Sequence, residues 1–168
     1  MAVVALLSAA ITNRDASPRV ANDSILEGGM VRQAGGFMET ALNDSVGSTY
    51  RFCQVPSNAK ILSVLLWADA AGSAGDMDLG IYQTTDNGGA VVDADHFASA
   101  VDVNAAALAG VDVTHESGVF GVEDSDKALW KALGLSVDSR RMYDVVGTLT
   151  EAIATTAQTL AVKVLYAI

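Results

Sequence analysis

The chain has 168 residues, 51% of them apolar and 18% charged, with a formal net charge of −10. That apolar content excludes a disordered chain, and the length gives one domain large enough to bury a core of its own. The charge is uneven: residues 61–126 hold twelve acidic side chains and no lysine or arginine, which argues against nucleic acid as a partner because such a stretch repels phosphate backbones.

The chain opens MAVVALLSAAITNRDASPRV. A secretory leader carries positive charge ahead of its apolar stretch, and here no lysine or arginine precedes Arg14. The run from Ala2 to Ile11 is also far shorter than the roughly 20 apolar residues that span a bilayer. No later stretch has that length and apolarity, so a membrane is not an expected partner. Residues 1–23 therefore read as an N-terminal arm, and 24–168 as the folded domain. Val3, Val4, Leu6, Leu7 and Ile11 supply the arm's apolar contacts, with Arg14 and Arg19 fixing its exit by ion pairs or hydrogen bonds to a neighbour. The arm is expected to bury its apolar side chains either against its own domain or against another chain, in the second case as an extra strand or tucked under a neighbour.

Beyond the arm, Gly, Asn, Asp and Ser punctuate short runs rich in β-branched and aromatic residues, the pattern of many short strands. Residues 25–40 predict one or two extended pieces. STYRFCQV (48–55) predicts a strand with Tyr50, Phe52 and Gln54 on one face and Arg51, Cys53 and Val55 on the other. Pro56-Ser57-Asn58 predicts a turn, and KILSVLLWA (60–68) a central strand buried on both faces. A strand over 77–83 ends at the turn Asp86-Asn87-Gly88-Gly89. DADHFASAV (93–101) reads as one or two helical turns, and 108–115 as a strand. SDKALWKAL (125–133) predicts the one short helix, capped by Ser125 or Asp124 and stopped by Gly134. Strands over 142–149 and 159–166 close the domain. Seven or eight strands and one helix predict an antiparallel β-sandwich of jelly-roll type.

Catalytic chemistry finds little support. Cys53 with His96 or His115 would make a nucleophile and base, but a mid-strand cysteine beside aromatics is usually structural. His96 beside Asp95 resembles a general base. Asp76, Asp78, Asp93 and Asp95 are hard-cation ligands by type, without the spacing of a twelve-residue calcium loop. The double glycines lack the strand-to-helix context of a phosphate loop. Trp67 and Trp130 are expected in core packing or helix docking. No catalytic residue, cofactor or metal is expected. The lone cysteine fits a protein made in a reducing cytoplasm.

Four stretches carry a resemblance: ITNRDASPRV (11–20), the STYRF…VPSNAKI run (48–61), DLGIYQTTDNGGAVVDADHFASAVD (78–102) and GVEDSDKALWKALGLSVDSRRMYDV (121–145). Together they resemble the podovirus-type head decoration, or capsid cement, proteins of tailed bacteriophages. The family's N-terminus is usually more polar than MAVVALLSAA. The resemblance implies a jelly-roll-like sandwich made in the bacterial host cytoplasm. It would bind the outside of the assembled capsid and staple neighbouring copies of the major capsid protein, as a dimer or trimer. A carbohydrate-binding sandwich on the virion surface is the alternative, favoured if a Trp or Tyr platform is exposed. A glycoside hydrolase would need two carboxylates across a cleft, and no such pair is evident.

Overall fold

A computed structural model gives the fold; it describes residues 6–22, 29–70, 72, 75–153 and 157–168. Eight strands run in chain order: β1 (Val31–Glu39), β2 (Thr49–Pro56), β3 (Lys60–Ala68), β4 (Asp76–Gln83), β5 (Val91–Asp102), β6 (Leu108–Asp112), β7 (Met142–Leu149) and β8 (Thr159–Ala167). They form two antiparallel four-stranded sheets, β1-β8-β3-β6 and β2-β7-β4-β5. Those two orders are a jelly roll: the chain repeatedly crosses between sheets, and its last strand returns to lie between β1 and β3.

Alternation along the strands builds the core. Leu160, Val162, Val164 and Tyr166 of β8 point inward, and they share one core with Met77, Leu79 and Ile81 of β4 on the other sheet. Fully burying side chains of this kind stabilises by about 1.5–3 kcal/mol each. Tyr50 and Phe52 of β2 face inward as the alternation predicts. A bulge between Arg51 and Cys53 then breaks the period. Val55 turns into the core and Gln54 outward, the reverse of the predicted faces.

Three further elements differ from expectation. Residues 93–101 are not helical; they lie within the twelve-residue strand β5, whose pairing with β4 shifts register three times. KILSVLLWA is buried on one face only, with Leu62, Ser63, Leu65 and Trp67 turned toward the other side. The helix expected over 125–133 shrinks to α2 (Leu129–Ala132). Ahead of it Asp124 ends a 3-10 turn at Val122–Asp124 that Ser125 caps, and Ala128 holds the N-cap position of α2, with no side-chain bond, in place of Ser125 or Asp124. Leu129 plugs the core, and its N–H and that of Trp130 donate to Ala59 O and Ser57 O.

The arm is partly helical rather than extended. This helix is α1 (Ala9–Asp15), and Ser8 caps it. Met1 to Ala5, with Val3 and Val4, lie outside the described residues.

Candidate docking surface

The two sheets present very different outer faces. On the second sheet that face is closed by its own chain. Arg51 on β2 donates to Asp144 of β7 at 2.6 Å, to Gln83 O at 2.9 Å and to Gly89 O at 3.0 Å, and its guanidinium lies 5.6 Å from the centre of the Tyr82 ring. Tyr82 shares a 2.6 Å hydroxyl bond with Thr148. Five of the acids of the 61–126 stretch sit on this sheet: Asp76 and Asp78 on β4, and Asp93, Asp95 and Asp102 on β5. Burial and the neighbouring Glu151 and Asp102 carboxylates raise the Asp76 carboxyl above its ordinary range.

The first sheet's outer face is open and apolar. In register across all four strands run Phe37, Ala161, Trp67 and Ala109. Phe37 is 77% exposed. With Ala161 between them, Phe37 and Trp67 stand two strands apart, roughly 10 Å. The slot between them is a groove of about 360 Å³ whose floor includes Gly35, Gly36 and Ala161. Leu65 and Leu165 extend the apolar surface along β3 and β8. Lys163 Nζ lies 5.4 Å over the Trp67 ring, and among the described residues no carboxylate lines the groove. Gly110 fits this packing: its φ is +71°, and a Cβ there would lie 2.8 Å from Trp67 Cζ2.

The arm adds a second apolar surface. Val20 N donates to Asn13 O at 3.2 Å and Asn13 Nδ2 to Asn22 Oδ1 at 2.8 Å, which folds residues 9–22 into a hook. No residue of α1 is buried. Leu6 is 89% exposed and Leu7 64%, whereas Ile11 is half-buried. Arg14 pairs with its neighbour Asp15 at 2.8 Å. Arg19 lines a small concavity with Arg14 and Asn22. Sequence reasoning selected the arm but missed the Phe37–Trp67 face, because Trp67 sits in a nearly continuous apolar run that reads as fully buried.

Cys53 lies on β2 and His96 on β5, the two edges of the second sheet, with β7 and β4 between them. Burial pushes the Cys53 thiol up to about 12. His96 is 1% exposed, and its Nδ1–H donates to Asp93 at 2.8 Å rather than to Asp95. Among the described residues no three His, Cys, Asp or Glu side chains are grouped to hold a metal, and no helix is long and apolar enough to cross a membrane.

No family model matches the chain, and no curated protein matches it significantly. A solved structure does: a chain of the cyanophage Pam1 capsid asymmetric unit is similar over 89% of this chain and 93% of its own, with a TM-score of 0.53 and 18% identity. The likeness is one of fold, the eight-stranded sandwich described above.

Proposed function

We propose that this chain is a structural protein of a phage virion that binds the outside of the assembled capsid and stabilises it by bridging neighbouring major capsid proteins. The observation that carries this reading is the pair of uncovered apolar surfaces on one chain, the Phe37–Trp67 face and the arm bearing Leu6 and Leu7. A large exposed apolar patch marks an interaction site, and two footholds on one molecule raise the effective concentration of the second once the first is made. A ligand that binds only the assembled shell stabilises that shell by mass action. The likeness to a chain of a cyanophage capsid supports the virion setting. Val3, Val4, Leu6, Leu7 and Ile11 are assigned to the apolar contact, Arg14 and Arg19 to the arm's exit, and the acidic β4–β5 side to solvent.

Mixing the purified protein with capsid shells assembled from the major capsid protein alone tests this. Co-sedimentation at a fixed ratio of copies per capsid protein, with a raised shell melting temperature, is expected. Absence of binding to intact shells would overturn the reading.

A specific observation favours one second reading. Trp67 and Phe37 flank an open slot, the kind of aromatic platform on which a sugar ring stacks. Quenching or shift of Trp67 fluorescence by oligosaccharides, together with no shell binding, would select a glycan-binding sandwich instead.

A further inference from the structure

Both histidines of the chain converge on one side chain. The Phe120 ring centre lies 5.4 Å from that of His96 and 5.3 Å from that of His115, on which it stacks within 5° of parallel. Phe97 completes the cluster, 5.0 Å from His96 and 5.5 Å from Phe120. The backbone makes the same junction. Phe120 N donates to His96 O at 3.1 Å, Ser117 N to Phe97 O at 3.0 Å, and Ser117 Oγ to His96 O at 3.1 Å. Residues 113–121, which lead from β6 to the turn at Val122, are therefore fastened to β5 at His96 and Phe97.

The two imidazoles are held differently. His96 donates from Nδ1 to Asp93, while its Nε2 is buried without a hydrogen-bond partner. A neutral ring leaves only an acceptor unused there. A second proton would place an N–H donor where no acceptor stands, which is the costlier state. The charged groups around the ring are Asp93 and Asp95 on β5 and Asp124 from the turn after the loop, the last held by Lys127. Burial outweighs these carboxylates and holds His96 below the usual imidazole range. His115 donates from Nδ1 to Phe120 O at 2.8 Å and is only half-buried.

We propose that His96 is an acid-sensitive latch: the segment 113–121 closes over a neutral imidazole and is released as that imidazole takes up a second proton. The open form binds one proton more than the closed form once the pH falls below the ordinary imidazole value of about 6.5. The opening equilibrium is then constant above that pH and rises by up to about tenfold per pH unit below it. Release uncovers Phe120 beside Val119 and Val122, which are already 49% and 72% exposed.

Amide hydrogen exchange of Ser117 and Phe120 in the intact chain tests the latch, since their N–H groups donate to Phe97 O and His96 O. Rates are followed from pH 7.5 to 5.0 and corrected for intrinsic exchange, with the imidazole titrations read by NMR alongside. The expected profile is flat above the ordinary imidazole value and steepens below it. The slope should survive in His115→Gln and vanish in His96→Gln. A flat profile in the parent chain, or a slope that persists without His96, overturns the proposal. Should His96→Gln not fold, the parent chain decides: a doubly protonated His96 with the Phe120 amide still protected refutes the latch.

Discussion

Arg51 and Asp144 form an ion pair across β2 and β7, Nη1 to Oδ2 at 2.6 Å, with the Asp144 side chain only 8% exposed. The same guanidinium ties down Gln83 O and Gly89 O. It thus joins an edge strand, its neighbour and the β4–β5 connection. Removing one partner of such a pair leaves a charge buried without compensation. Arg51→Leu is expected to cost about 3 kcal/mol in urea unfolding, and Asp144→Asn in the same chain should recover part of that loss. Additive losses would show that the two groups act independently.

Gly110 is a second point where one side chain decides. Its φ of +71° is one that residues with a Cβ rarely adopt, and that Cβ would strike the Trp67 ring. Gly110→Ala should destabilise by about 1–3 kcal/mol and change Trp67 fluorescence, because the ring must shift. An unchanged melting temperature would mean that the β6 edge adjusts freely.

The parts of the fold that were legible in the sequence are those where the period of two is unbroken. TLAVKVLY alternates without interruption and became β8, with the expected residues inside. DADHFASAV failed because β5 pairs with β4 through three register shifts, so its inward residues do not alternate. The same irregularity hid the His96–Asp93 contact. Residues three apart on a regular strand face opposite sides, and sequence reasoning paired His96 with the adjacent Asp95 instead. The short helix was misjudged in length because DKALWKAL carries helical spacing, yet the chain just ahead of it closes a 3-10 turn at Val122–Asp124 and the α-helix begins only at Leu129. Trp67 was misplaced because apolar residues on both faces of β3 read as burial, when one of those faces is bare.

Acid should weaken a different contact. The Tyr50 hydroxyl donates to Asp44 Oδ2 at 2.6 Å, and Ala41 N donates to the same oxygen at 2.9 Å. These bonds, that of Tyr50 foremost, hold the Asp44 carboxyl below its ordinary value. A carboxyl lowered on folding contributes stability that is complete above the unfolded value, near 4, and is lost as pH falls through the folded one. Tyr50→Phe should therefore lose about 1 kcal/mol at pH 7 and progressively less below pH 4. Urea midpoints of the two proteins at both pH values check this, and a gap that widens in acid would contradict it.

The exposed aromatic of the first sheet separates stability from docking. Phe37 is 77% exposed and touches little that holds the domain together. Phe37→Glu should leave the unfolding midpoint within about 0.5 kcal/mol, as surface changes usually do. A carboxylate buried against a partner is costly, so binding to capsid shells should fall by tenfold or more. Equal binding by the variant would move the contact away from the Phe37–Trp67 face.

The arm gives the sharpest division between folding and assembly. Its hook is closed by its own bonds, Asn13 to Asn22 and Val20 to Asn13. The helix α1 buries none of its residues. Among the described residues the sandwich, by contrast, fills its core from residues that follow the arm, Tyr50 being the first buried apolar one, with Ala34 and Met38 packed against it. Removing residues 1–22 should then leave the unfolding midpoint of the domain nearly unchanged. On a shell, burying Leu6 and Leu7 alone is worth about 1.5–3 kcal/mol each, less the entropy of ordering their side chains, about 0.5–1 kcal/mol apiece. Truncation should therefore weaken shell binding by at least tenfold, and Leu6→Asp with Leu7→Asp in the full chain should reproduce the loss. If the truncated chain melts well below the parent, the arm belongs to the core of its own subunit. If it melts at the same point and binds shells equally well, the contact lies elsewhere and the Phe37–Trp67 face must carry it unaided.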